Sequence, residues 1–132
     1  MSLALDTSVV VRLLVATPSD QAEAARRFVG AQPGVVAVSD LVVAESYYAL
    51  RHHYGIAHTQ AVTTLLAFIT DPRITVLGHA REVLGAMVFD GAVASRPGLM
   101  DRLLYAGYTA SGYEVATFDR DLAKLTATRR IA

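Results

Sequence analysis

The chain has 132 residues, enough for one domain with a real core, and its twelve basic and twelve acidic side chains cancel, so bulk charge points to no particular polyanionic partner. Hydrophobic residues make up 53%, which excludes a disordered segment, and no apolar stretch runs for the roughly 20 residues of a membrane span. The lack of cysteine excludes disulfides, thiolate metal sites and a cysteine nucleophile, and a cytoplasmic protein is the natural expectation.

In chain order, Leu3-Ala4-Leu5 reads as a short strand stopped by Asp6. A helix over Thr7–Val15 follows with almost no loop. Asp6 and Arg12 break the apolar run, so this segment does not read as a signal peptide. Thr17-Pro18-Ser19-Asp20 has the pattern of a capping box with proline at the first helical position, and predicts a second helix ending near Gly30. After the turn at Pro33-Gly34 come a strand at Val35–Val38 and a helix from Asp40 to His53. A fourth helix is predicted from about His58 to Thr70, stopped by Asp71-Pro72. A strand at Ile74–Leu77 leads to helices at about Ala80–Phe89 and Leu99–Ser111. A last strand at Val115–Phe118 precedes a short helix beginning near Arg120. Strands alternating with helices predict a single α/β domain over residues 1–132, with a central parallel sheet covered on both faces. Such folds build sites outside the carboxyl ends of their strands.

Two acids fall at those ends. Asp6 closes the first strand and Asp119 the last, although each also suits the N-cap of the helix that follows. Glu45 has Leu41, Val42, Tyr48 and Ala49 as its helical neighbours, so it is expected within the stripe that faces the core. A charge buried there needs a cation, a proton or a strong donor, with Arg12 as the bland partner. Asp101 stands in the first turn of the helix after Pro97-Gly98, where the helix dipole alone would favour an acid. If the four converge, a hard divalent cation relieves their repulsion, and Mg²⁺ favours such oxygen-rich sites. The remainder then carries a net charge of +4, and eleven of the twelve basic residues are arginine, which suits phosphate forks.

Asp6-Thr7-Ser8 after a short strand, Glu45 in "VVAESYYAL", Asp101 in "LMDRLLYAGYTASGYEVATFDRDLAKL" and Asp119 in "TFDRD" resemble the PIN-domain ribonucleases, and among them the VapC-type toxins of toxin–antitoxin pairs. The resemblance covers essentially the whole chain. It implies a three-layer α/β/α domain with a central parallel sheet of four to five strands. It implies a Mg²⁺- or Mn²⁺-dependent endoribonuclease in which Asp6 and Asp101 are the central ligands, Glu45 and Asp119 complete the set, and the four acids activate water. Thr7 and Thr117 would orient ligands by their hydroxyls, against the ordinary alternative of local backbone bonding. Asp121 would be an auxiliary acid or simply a first-turn carboxylate. Arg12 and Arg120, nearest in sequence to two of the acids, are the candidates to grip flanking phosphates. A cognate VapB-like antitoxin, an RNA substrate and a homodimer are the implied partners, with no membrane. The exposed sides of the helices in "VVAESYYALRHHYG" and "HTQAVTTLLAFI" are where such a partner would dock. Ser8 departs from the asparagine frequent at that position.

Other constellations read less well. His52 and His53 are adjacent on a helix and point in different directions, so they cannot form a shared ligand pair. Tyr47, Tyr48 and Tyr105 have the chemistry to stack on bases, but helical spacing makes core or interface roles the ordinary ones. "ATFDRDL" has the Asp-x-Asp spacing of haloacid dehalogenase phosphatases, yet only 11 residues follow Asp121. A phosphoacceptor receiver domain would need an early acidic pair, and Asp6 is alone. The rival that remains is a PIN-like domain binding RNA or protein without cleavage.

Overall fold

The structure, a computed structural model, describes residues 2–89 and 96–132. Strand β1 (Leu3–Ala4) runs straight into helix α1 (Thr7–Val15). The junction needs no loop because Asp6, extended at φ −91° and ψ 175°, accepts a bond from the Val9 N–H and caps the helix itself. Helix α2 (Ser19–Gly30) corrects the expected capping box: Pro18 is the N-cap residue and not the first helical one, so the helix begins one residue later than expected, and no side chain caps it. Strand β2 (Val36–Ser39) leads into α3 (Asp40–His52), where the Ser39 hydroxyl accepts from the Val42 N–H. Then come α4 (His58–Ile69), β3 (Ile74–Leu77), α5 (Ala80–Phe89) and α6 (Leu99–Ala110). The chain finishes with β4 (Val115–Thr117), a three-residue 3-10 helix at Leu122–Lys124, and β5 (Thr128–Arg130).

Among the described residues every strand pairing is parallel, in the orders β1-β2-β3 and β4-β5. Strand number and direction fit the expected parallel sheet, but the ladders divide into a set of three and a set of two. β1 contributes only Leu3 and Ala4 to its ladder with β2. β5 lies on Thr-Arg-Arg, which has no apolar alternation to mark it as a strand.

The core collects the inward positions of the strands, Val36, Val38 and Ile74, with Leu50 of α3, Leu65 and Ile69 of α4, Leu84 of α5 and Leu99 of α6. Each buried leucine or isoleucine contributes about 1.5–3 kcal/mol relative to exposure. Helix α3 is the hub, packing against α1, α4, α6 and β2. It therefore fixes the start of α1 relative to the start of α6, where two of the four acids stand.

A second brace ties α3 to α5. The Asp40 carboxylate accepts from the His79 N–H at 2.8 Å and the Ala80 N–H at 2.8 Å, capping α5 from the first residue of α3. Gly78 makes this possible: its φ is +134°, and a Cβ there would overlap the Asp40 carboxylate. Asp40 was not among the acids marked out by sequence. Its signal is only its place one residue beyond a capping serine.

Candidate metal centre at the strand ends

Asp6 is exposed and held in place locally. The Ser8 hydroxyl donates to Asp6 Oδ1 at 2.6 Å, and the Val9 N–H donates to the same oxygen at 3.2 Å. Ser8, more than any other group, keeps the carboxyl below the usual range, followed by the Val9 N–H. Serine at this position thus serves Asp6 directly, and Oδ2 is left without a protein partner among the described residues.

Glu45 is not where periodicity placed it. It is exposed, as are Leu41 at 65% and Tyr48 at 55%, while the buried side of α3 is Val43, Ala44, Ser46 and Leu50. Leu41 and Tyr48 beside Glu45 face solvent while Val42 packs against the core, so no buried charge has to be compensated. Arg12 does not pair with it either. Instead the Thr7 hydroxyl donates to Glu45 Oε1 at 3.2 Å, linking the turn at Asp6 to the second acid.

Asp101 occupies the third helical position of α6, beyond the Gly98 N-cap, and is half-buried. Its carboxylate accepts no hydrogen bond among the described residues. Burial, and after it the negative charge of Asp119, push its pKa up. Asp119 is exposed and caps the 3-10 turn: Oδ1 accepts from the Asp121 N–H at 2.7 Å and the Leu122 N–H at 3.0 Å. Those two donors, with the Arg96 charge a smaller influence, hold its pKa down. The Thr117 hydroxyl accepts from the Asp119 N–H at 2.9 Å, so it fixes the backbone of that acid and leaves its carboxylate to other donors.

The acids thus stand as two pairs, Asp6 with Glu45 through Thr7, and Asp101 with Asp119 through their charges. Among the described residues no three acid or histidine side chains are close enough to hold a metal ion together. The donor chemistry still fits a hard divalent cation. All four candidate groups are carboxylates, each retains an oxygen with no protein partner among the described residues, and a cation would relieve the Asp119 charge that, after burial, raises the Asp101 pKa.

The remaining candidates sort plainly. Asp121 is engaged by Lys124 Nζ at 3.3 Å and by Arg96 at 3.8 Å, and these cations neutralise it as a first-turn acid. Arg12, a candidate to grip phosphate, donates from its guanidinium to Gln21 Oε1 at 2.9 Å and to the Ser8 carbonyl at 3.4 Å, bonds that brace α1. Arg120 is exposed, with no side-chain partner among the described residues. His52 and His53 lie exposed beside Tyr48, and the Tyr105 hydroxyl meets that of Thr126 at 3.0 Å. Tyr47 is drawn to α4, its hydroxyl 2.6 Å from His58 Nδ1.

No helix among the described residues is long and apolar enough to cross a membrane. The sequence profile of the PIN domain matches residues 3–127 of the chain. No curated protein and no solved structure gives a significant match.

Proposed function

The chain belongs to the PIN domain family, whose members are generally nucleases that use divalent metals, and on that premise we propose that it is an endoribonuclease hydrolysing RNA phosphodiester bonds with Mg²⁺, or with Mn²⁺ in its place. The observation that carries this reading is the state of Asp101. A half-buried carboxylate that accepts no bond from the described residues, and is pushed toward protonation first by burial and then by a neighbouring acid, is costly unless it serves something not made of protein.

Asp6, Asp101, Glu45 and Asp119 would hold the metal. When bound it supplies Lewis-acid charge at the phosphate and a nucleophile at neutral pH. Ser8 keeps Asp6 ionised and correctly turned. Thr7 fixes one oxygen of Glu45 and leaves Oε2 to accept the proton of the attacking water. Asp119 is a poor proton acceptor, because two backbone N–H groups hold its pKa down. Attack in line with the departing 3′ oxygen leaves a 5′-phosphate and a 3′-hydroxyl.

The finer reading is a VapC-type toxin acting in the cytoplasm, restrained by a VapB-like antitoxin and forming a homodimer. Its support is the element order and the acid set, together with the exposed Leu41 and Tyr48 beside Glu45 on α3. An antitoxin arm seated on that stripe reaches the acids and sets an arginine where the cation would stand. α4 offers less, since its exposed residues include Thr59, Gln60 and Thr63.

The arrangement of the acids in two pairs favours a second reading, an RNA- or protein-binding PIN-like domain without cleavage. Purified protein incubated with total RNA, in Mg²⁺ or Mn²⁺ and in EDTA, beside Asp6→Asn, separates the two. Discrete cuts that need metal and vanish in the variant are expected. Folded protein, free of any antitoxin, that cuts nothing with either metal would overturn the nuclease reading.

A further inference from the structure

The parallel pair β4-β5 delivers a second group to the edge where Asp119 stands. Register sets Val115 beside Thr128, Ala116 beside Arg129 and Thr117 beside Arg130. Neighbours in a parallel ladder share a face, and the face alternates with each residue. Arg130 therefore lies on the face of Thr117, the residue whose hydroxyl accepts the Asp119 N–H. Its ladder position is held on both sides, by the Thr128 hydroxyl donating to the Leu125 carbonyl at 2.6 Å and by the Ile131 N–H donating to the Thr117 carbonyl at 2.9 Å.

The basic residues of this region divide by what they already hold. Arg129, on the opposite face, forms a two-pronged pair with Glu114 at 3.0 Å on each prong. Arg96 and Lys124 lie against Asp121. Arg130 and Arg120 are exposed and make no side-chain hydrogen bond or ion pair among the described residues. Two uncommitted guanidinium groups thus flank an acid-rich edge, one following Asp119 directly and one on the neighbouring strand.

Resting on the nuclease reading, we propose that Arg130, together with Arg120, forms the phosphate-binding side of the site and lays a single RNA strand across the ends of β4 and β5. Arginine suits this role because its fork pairs with two phosphate oxygens at once. Without a cation the acids repel the strand, so the two arginines supply the attraction for the phosphates beside the centre. From the acids the strand then runs over the ends of β4 and β5.

The test is binding of a fluorescein-labelled single-stranded RNA oligonucleotide to the full chain carrying Asp6→Asn, across a salt series, with melting curves for every variant. Arg130→Ala is expected to weaken binding about fivefold or more. It should also make the dependence of log K on log salt shallower by about 0.7, because one phosphate is no longer neutralised. Adding Arg120→Ala should deepen both effects, and Arg129→Gln should bind within about twofold of the parent. Unchanged affinity and slope in folded Arg130→Ala would overturn the proposal, and so would an equal weakening in Arg129→Gln, which would show general charge attraction. Cleavage by the chain with native Asp6 is scored separately. Metal-dependent cutting with an unchanged KM in Arg130→Ala rejects this site alone. RNA binding that needs Arg130 in a chain that cuts nothing rejects the nuclease reading and leaves the site standing.

Discussion

The Thr7 hydroxyl reaches across from the first turn of α1 to Glu45 Oε1 at 3.2 Å. This hydrogen bond joins the strand-end acid's turn to the helix acid, and it orients a carboxylate otherwise free in solvent. Thr7→Ala is expected to lower kcat for RNA cleavage about tenfold with KM within about twofold, since a ligand is deprived of its orienting partner. Thr7→Ser should recover most of the activity. A raised KM with unchanged kcat would place Thr7 in substrate binding instead.

Asp101 sets stability against function. Its pKa is raised by burial and by the Asp119 charge, so folding is opposed by its ionisation at neutral pH. The sign follows: the folded state takes up its proton more readily than the unfolded state, and the penalty fades as pH falls through that raised pKa. Asp101→Asn should therefore abolish metal-dependent cleavage while raising the melting temperature at pH 7 by roughly one to three degrees, a modest gain because the group is only half-buried. A variant that melts lower than the parent would show that Asp101 stabilises the fold.

His58 shifts the other way. Burial first, then the positive charges of Arg51 on α3 and Arg102 on α6, hold its pKa below the ordinary histidine value of 6.5. Its Nε2 is buried with no partner among the described residues, and the ring stands at the N-terminus of α4, where a cation meets the helix dipole unfavourably. Its stabilising contribution is complete above about pH 6.5 and is lost as pH falls below it. Chemical denaturation at a series of pH values should show a smaller drop in stability for His58→Gln than for the parent over this window. Parallel curves would refute the assignment.

Gly78 and Asp40 occupy one another's space. A Cβ at residue 78 would overlap the Asp40 carboxylate and sit at φ +134°, so Gly78→Ala should cost about 2 kcal/mol or more. Asp40→Ala should cost about 1–2 kcal/mol, because α5 is then left uncapped. The double variant should be destabilised by less than the sum of the two single effects, because the overlap disappears with the carboxylate. Urea denaturation of all four proteins reads the coupling directly.

Some of the site was legible because it is local. An apolar pair ending in an acid, followed by a helix-forming run, needs only the capping rule to set Asp6 at a strand end. The same holds for the boundaries of α1, β3 and α5, which coincide with the expected residues. Pro18 shows the limit of local reading: Thr17-Pro18-Ser19-Asp20 has the residues of a capping box, but the helix begins after the proline and uses no side-chain cap.

Periodicity established that Leu41, Glu45 and Tyr48 share a side of α3; it did not say that this side faces solvent. Only the packing of α3 against α1, α4 and α6 decided which apolar stripe became core, because a helix with apolar residues on more than one side can be buried by either. Partner choice was likewise tertiary. Thr7 finds Glu45 38 residues away, Asp101 is perturbed by burial and by Asp119, Arg12 bonds to Gln21, and Arg130 is set beside Thr117 through β5, a strand without an apolar pattern. The sequence determined by itself where the acids sit along the chain and on which elements, since capping and helix propensity act over a few residues. Which of them meet, which are exposed and which cations remain uncommitted depend on interactions distant in sequence, and those exist only once the sheet and helices have packed.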